Sequence, residues 1–386
     1  MKSFVYYNPT KIIFGEGAIG KLASELKNCG DNVLLAYGKG AIKREGIYDA
    51  VIKILADSGK KVTELPGIMP NPTAAKAREG IDLCKRNKVD FILAVGGGSV
   101  IDCCKAIAVG ALIKEDFWDV LYTKRKLAGK ALPIGTVLTM VGTGSEMNGN
   151  AVITNEEIKI KAGFYSPAVF PKFSILDPTY TYSLPTYQMV SGICDIMSHL
   201  MEQYFSGKDD NVSDDLNEAL MKSIIKNTRV AVKKPQDYTA RSNIMWGSTV
   251  TLNDTVGVGK TQDWEVHQIE HQLGAYYDCA HGMGLAAVSA SYYRHVYKNG
   301  LHKFRQFAVN VWGVDPKGRT SDEVALEGIA RLEAFFREIG ATTSLRELGI
   351  PDKSKLGEIA ESTNLLKAGF KTLTHEDVKN ILEASF

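Results

Sequence analysis

Short runs of consecutive apolar residues alternate, in the first half of the chain, with segments whose apolar positions recur every three or four residues. NVLLAYG at 32–38 is the first such run, and 61–68, 91–98 and 131–139 repeat it. Residues 91–98 are continuously apolar up to their glycines, which predicts a strand buried on both faces. Between the runs, 41–60 predicts a helix with Ile47, Val51, Ile54 and Leu55 on one side, and 71–90 a second helix capped by Thr73. A third helix is expected over 99–113. This βαβα rhythm implies a parallel sheet with helices on both faces. The rhythm breaks at 149–165, where two short segments around Asn155, Glu156 and Glu157 predict a hairpin. Residues 172–178 predict a last short strand, stopped by Pro178.

Beyond residues 183–185 the period becomes that of amphipathic helices, clearest at 214–234 and 321–340. The expected architecture is an α/β domain over 1–185 followed by an all-helical domain over 186–386. A chain of 386 residues is also too long for one small core.

Composition acts mainly by exclusion. The net charge of +2, with no basic block interleaved with aromatics, gives no support to a nucleic-acid partner. The stretch 91–113 is long and apolar, but Asp102 and Lys105 fall inside it and glycines break it. A membrane span carrying both charges would be costly, so a strand, a turn and a buried helix are expected, with no membrane partner. The N-terminal residues lack the apolar region of a secretory signal. The six cysteines (29, 84, 103, 104, 194 and 279) form no C-x-x-C pair. They are expected as reduced, buried, small hydrophobes in a cytoplasmic protein.

Two glycine-rich turns follow predicted strands, GGGSVID at 96–102 and TMVGTGSE at 139–146. Gly97, Gly98 and Ser99 stand where a strand gives way to a helix, a position that admits a phosphate to backbone N–H groups. Thr139, Thr143 and Ser145 could add hydroxyl donors. Two such turns at the carboxyl ends of strands favour a nucleotide site over two plain turns. The G-x-G-x-x-G fingerprint and the P-loop are both absent in their usual forms. In AYGKGAIKREG at 36–46 no acid stands at the strand end, whereas Lys39, Lys43 and Arg44 are close. These cations would tolerate a ribose 2′-phosphate, or they are solvated helix surface; the pattern leaves both open.

Three of the seven histidines fall between 267 and 281. His267 and His271 are four apart, as are Asp195 and His199, so each pair shares one helix face. His281 is followed by Gly282. An isolated histidine is more often a satisfied polar residue than a ligand. Two such pairs and a His-Gly within one helical domain favour a metal site instead. Asp195, His199, His267 and His281 would suit Fe²⁺, Zn²⁺, Co²⁺ or Ni²⁺ better than Mg²⁺ or Ca²⁺. The H-E-x-x-H signature is missing, which excludes a zincin-type protease. Trp246 and Trp264, near these motifs, are expected as core packing.

The ordered segments GGGSVID, TGSEMNGNAVIT, FSILDPTYTYSLP, GICDIMSHLMEQYF and HQIEHQLGAYYDCAHG resemble the iron-containing (group III) alcohol dehydrogenases. Within that family they look most like the butanol dehydrogenase and aldehyde reductase branch. The resemblance runs from NPTKIIFGEGAIGKL nearly to the C-terminus. It implies a dehydroquinate-synthase-like fold: a Rossmann-like α/β nucleotide domain joined to an all-α domain, with the metal in the cleft. It implies metal ligation by Asp195, His199, His267 and His281, and a non-coordinating catalytic histidine at His271, suited to proton transfer near neutrality. It places cofactor contacts on Gly97, Gly98, Ser99, Asp102, Thr139, Thr143, Ser145, Asn148 and Lys161, with Gly38 and Lys39 at the adenosine end. KGA at 39–41 departs from the glycine and serine common in related sequences. Asp102, near the nicotinamide, would orient ribose hydroxyls or pass a proton. The implied reaction moves hydride between nicotinamide C4 of NAD(P)H and a small primary alcohol or aldehyde, butanol-like, with one divalent metal as Lewis acid, in a homodimer. A polyol dehydrogenase is the nearest alternative. Dehydroquinate-synthase-type lyase chemistry is more distant, since no Lys/Arg cluster stands beside 267–281. A purely binding or structural role would leave both sets of motifs without purpose.

Overall fold

The computed structural model describes residues 1–207 and 211–386. The chain divides into two compact units, Tyr7–Leu184 and Pro185–Phe386, and Met1–Tyr6 belongs to the second.

The unit Tyr7–Leu184 runs β1 (Lys11–Phe14), α1 (Leu22–Leu26), β2 (Asn32–Tyr37), α2 (Ala41–Arg44), α3 (Ile47–Asp57), β3 (Lys61–Leu65), α4 (Ala74–Arg86), β4 (Phe91–Gly96), α5 (Gly98–Gly110), β5 (Ile134–Leu138), β6 (Asn150–Asn155), β7 (Ile160–Tyr165) and β8 (Phe173–Leu176). Six strands pair in parallel in the order β1-β8-β5-β4-β2-β3, and β6 and β7 form the expected antiparallel hairpin. The apolar runs fill the middle of the sheet. Leu35 of β2 pairs with Leu93 of β4, and Leu93 with Gly135 of β5. Every residue of β4 and β5 is buried. Gly135 has no room for a side chain, because a Cβ there would lie 2.4 Å from the Phe173 ring that stacks on Phe91.

Two local expectations change. The helix expected over 41–60 is two helices, because Gly46 adopts φ 72° between α2 and α3, a left-handed conformation that suits glycine. Lys11–Phe14, which no alternation signals, joins the sheet as an edge strand beside β8. Thr73 does cap α4, accepting the Lys76 N–H at 3.2 Å. The stretch 91–113 is β4, a glycine turn and α5, and no helix among the described residues is long and apolar enough to cross a membrane.

Sheet order positions a site. From β2 the chain moves outward to β3, then returns to the other side of β2 as β4. Such a switch in direction opens a crevice beyond the carboxyl ends of the two inner strands. Gly38 follows β2 there, and Gly97 follows β4.

The second unit is helical: α6 (Thr186–Tyr204), α7 (Val212–Lys233), α8 (Tyr238–Thr251), α9 (Glu265–Tyr277), α10 (His281–Val296), α11 (Leu301–Asn310), α12 (Ser321–Glu338), α13 (Leu356–Ser362) and α14 (His375–Ala384). Its centre is α6, buried without interruption from Met189 to Tyr204. Capping boxes start α7 at Asn211, α12 at Thr320 and α14 at Thr374. All six cysteines are free; five are buried and Cys29 is partly buried.

Candidate active site

One glycine sets His281 close to α6. A Cβ on Gly282 would sit 1.8 Å from the Ser191 carbonyl oxygen, so α10 crosses α6 in backbone contact. Gly282 therefore sets His281, the first residue of α10, beside Asp195 on α6. His199 follows Asp195 by one helical turn, and α9 supplies His267.

Around Asp195 Oδ1 stand His199 Nε2 at 3.3 Å, His281 Nε2 at 3.5 Å and His267 Nε2 at 3.6 Å. A tetrahedral metal with bonds of about 2.0–2.1 Å separates its ligands by about 3.3–3.4 Å, so these spacings fit one ion. Among the described residues, two groups hold their ligand atoms within 4.8 Å of one another: Asp195, His267 and His281, and Glu270, His271 and His281. Asp195 Oδ1 and His267 Nε2 are buried and make no hydrogen bond. Two orphaned polar atoms aimed at each other are costly unless something sits between them. The donor set and these orphans fit a divalent transition metal.

Behind the ligands stand two buried glutamates that the sequence reading did not single out. Glu202 contacts His267 Nδ1, accepts the His267 backbone N–H at 3.2 Å and accepts the Ser198 hydroxyl at 2.7 Å. Glu270 contacts His281 Nδ1 in the same way. Carboxylates on Nδ1 keep Nε2 free as a ligand. A signal was present: Asp195, His199 and Glu202 lie on one stripe of α6, and Glu270 sits between His267 and His271.

These charges divide the imidazoles. Burial lowers His199 to about 4 despite the nearby Asp195 carboxylate. Burial also works against His267, but Glu202 and Asp195 outweigh it and raise that ring to about 10. Asp195 is itself held below the usual carboxylate range: burial opposes this, and the surrounding imidazoles, His199 first, overcome it.

His271, on α9, is buried beside this group, its ring centre 6.2 Å from that of His267 and 5.9 Å from that of His281. Neither tryptophan is simple core. Trp246 is 45% exposed. Trp264 holds φ 68°, unusual for a bulky residue, and its ring packs edge-on to His199 and His267. Its indole N–H donates to Gln262 Oε1 at 2.9 Å.

In the α/β unit the two glycine-rich turns pack against each other. A Cβ on Gly98 would meet Thr143 Oγ1 at 2.2 Å, and one on Gly97 would meet Met140 Cβ at 3.0 Å. The residues carried over by resemblance fall into two sets. Gly38, Lys39, Gly97, Ser99, Thr139 and Thr143 retain exposed surface, whereas Gly98, Asp102, Ser145, Asn148 and Lys161 are buried. Asp102 Oδ1 accepts the Ser145 hydroxyl at 2.5 Å and Oδ2 accepts the Val152 N–H at 2.9 Å. Each oxygen of Asp102 thus accepts a hydrogen bond from within the unit.

No acid of 36–46 stands at the end of β2, and a carboxylate near Tyr37 comes instead from β3, where Glu64 is in register with Leu35. Glu64 on β3 accepts the Tyr37 hydroxyl at 2.6 Å and the Tyr48 hydroxyl at 3.0 Å. Lys43 lies over both tyrosine rings, 4.4 Å from the centre of Tyr48. The acid came from a neighbouring strand, which the local sequence around 36–46 does not reveal.

The family described as iron-containing alcohol dehydrogenase matches residues 9–178, and the C-terminal part of the Fe-containing alcohol dehydrogenase family matches 189–386. The chain is 45% identical, over all of both sequences, to a probable NADH-dependent butanol dehydrogenase 1 of Bacillus subtilis (strain 168). It is 37% identical to the NADPH-dependent aldehyde reductase YqhD of Escherichia coli (strain K12), covering 92% of this chain and 91% of that one. The crystal structure of an NADH-dependent butanol dehydrogenase A from Thermotoga maritima superposes with a TM-score of 0.95 at 41% identity, covering 100% of this chain and 99% of the other.

Proposed function

This chain belongs to the iron-containing alcohol dehydrogenase family, and we propose that it interconverts small primary alcohols and their aldehydes, butanol and butyraldehyde among them, with NAD(P)H and one divalent metal, Fe²⁺ or Zn²⁺ first. The observation that carries the proposal is the convergence of three imidazole Nε2 atoms on Asp195 Oδ1 at 3.3–3.6 Å.

A bound metal supplies a Lewis acid for the substrate oxygen, and a bound nicotinamide supplies or takes the hydride. Asp195, His199, His267 and His281 hold the ion, while Glu202 and Glu270 orient His267 and His281. His271, close to the ligands, serves as the proton relay for the substrate oxygen. Trp264 fixes one wall of the group through its ring contacts with His199 and His267. In the α/β unit, Gly97, Ser99 and the start of α5 receive the cofactor diphosphate, with Thr139 and Thr143 from the facing turn. Asp102 anchors that turn through Ser145 and Val152. Glu64, between two tyrosines near the end of β2, favours a ribose hydroxyl over a 2′-phosphate, and so NADH over NADPH.

Other observations support the finer assignments, a homodimer and a cytoplasmic location. Val5 is 92% exposed and Tyr7 77%, with Phe4 and Tyr6 also exposed, an apolar terminal segment suited to a homodimer contact. Six free cysteines fit a reducing compartment such as the cytoplasm.

The test is butyraldehyde reduction by metal-free protein with Fe²⁺, Zn²⁺, Co²⁺ or Ni²⁺ restored singly, comparing NADH with NADPH and adding glycerol oxidation for the polyol alternative. Metal-dependent NADH oxidation is expected. No oxidation of either cofactor with any metal would overturn the aldehyde assignment, and faster turnover of glycerol would replace it with the polyol one.

A further inference from the structure

Lys105 lies about two turns into α5 and is fully buried. A lysine without solvent needs partners for three N–H donors. Three acceptors meet it: Ser145 Oγ at 2.8 Å, Asn148 Oδ1 at 3.0 Å and the Asn150 carbonyl at 2.8 Å. Each acceptor extends the network. Ser145 donates onward to Asp102 at 2.5 Å, and Asp102 accepts the Val152 N–H at 2.9 Å. Asn148 Oδ1 also accepts the Asn150 N–H at 3.0 Å, and its amide nitrogen donates to the carbonyls of Gly144 at 2.9 Å and Thr143 at 3.3 Å. Thr143 Oγ1 accepts the Ser145 N–H at 3.1 Å. The same Thr143 is the residue that Gly98 admits against α5. One buried cation thus joins α5, the turn at 143–148 and the start of β6.

A serine between a lysine and an aspartate could also be a nucleophile with its base. Burial decides against that here. Ser145 is 1% exposed, and its proton is already given to Asp102.

We propose that Lys105 is a positioning residue for the cofactor-binding turn. Its ammonium fixes the backbone from 143 to 150 against α5 and so sets the affinity for the nicotinamide dinucleotide without touching it. Ser145, Asn148 and Asp102 act through this network. The inference rests on the nucleotide reading above. Removing the cation leaves buried acceptors unpaired and Asp102 without its counter-charge, so the turn rearranges locally.

The experiment compares wild type, Lys105→Met, Ser145→Ala and the double variant as full-length, metal-loaded protein. NADH and NADPH are titrated by nicotinamide fluorescence, with metal content, aldehyde KM and thermal unfolding measured on the same samples. The dissociation constant of the dinucleotide that wild type binds should rise at least about tenfold in Lys105→Met, as sub-ångström to ångström misplacement of binding groups can do. Metal content and aldehyde KM should hold. The double variant should bind no more weakly than Lys105→Met, because both changes cut one link. A folded Lys105→Met with the wild-type constant, or a fully additive double variant, overturns the proposal. If Lys105→Met does not fold, Ser145→Ala decides: weaker dinucleotide binding at full metal content supports the proposal, and unchanged binding overturns it. A wild type that binds neither dinucleotide overturns the nucleotide reading itself, and the role of Lys105 falls with it.

Discussion

Replacing Glu202 by glutamine changes no volume but disturbs three bonds in a fully buried place. Glu202 contacts His267 Nδ1, accepts the His267 N–H at 3.2 Å and accepts the Ser198 hydroxyl at 2.7 Å. Glutamine must donate from one end. With its oxygen toward Nδ1 and Ser198, its NH₂ faces the His267 backbone N–H. Two donors then oppose each other without water, at a cost of about 1–3 kcal/mol. With its NH₂ toward Nδ1, that ring nitrogen must accept, and the imidazole proton moves to Nε2. The atom 3.6 Å from Asp195 Oδ1 then has no lone pair for a metal. Either arrangement weakens ligation by His267. Loss of an outer carboxylate typically lowers metal affinity about 10–100-fold, or about 1.4–2.8 kcal/mol. The assay is competition for Zn²⁺ against a chromophoric chelator at fixed pH, with bound metal counted by elemental analysis. A Glu202→Gln dissociation constant within about twofold of wild type, in a protein whose Asp195→Asn variant loses metal, would refute the assigned role of Glu202.

Three further outcomes are expected. His267→Ala should lose bound metal, whereas His271→Ala should keep it and turn over about 10²–10⁴-fold more slowly; an unchanged pH–rate profile in His271→Ala would remove the relay. Gly98→Ala would place a methyl 2.2 Å from Thr143 Oγ1 and 2.4 Å from its Cγ2, so the two turns must part; dinucleotide affinity should fall at least about tenfold at constant metal content, and full affinity would show that the turns do not meet at the cofactor. Burial holds Lys105 at about 8, below its ordinary 10.5, with Asp102 and Glu146 opposing the shift. Between those values the unfolded chain binds more protons than the folded one, so this lysine makes stability rise with pH from about 8 to 10.5. Urea midpoints of wild type should therefore gain on those of Lys105→Met across that range, and parallel curves would contradict the shifted lysine.

Local pattern determined much of the α/β unit, because a strand buried on both faces leaves an unbroken apolar run. Residues 32–38, 91–98 and 131–139 show such runs, and each contains a central strand of the parallel sheet. The glycine turns at 96–98 and 139–146, the two four-residue spacings and the His281-Gly282 pair were also visible as residues. Their order along the chain resembled the family whose descriptions match both halves. Where the physics is not local, the pattern was silent. Lys11–Phe14 is a strand only because β8 offers it a free edge. Gly46 breaks a helix whose apolar spacing runs straight through it. Only packing placed His281 against Asp195, through the backbone contact that Gly282 permits with Ser191. Glu202 and Glu270 were ordinary helix acids until burial turned them onto the imidazoles, and Glu64 meets the Tyr37 hydroxyl from the next strand. Lys105 looked like a reason to reject a membrane span; the tertiary structure made it the centre of a turn, because a buried ammonium must find three acceptors and these come from segments far apart in the chain.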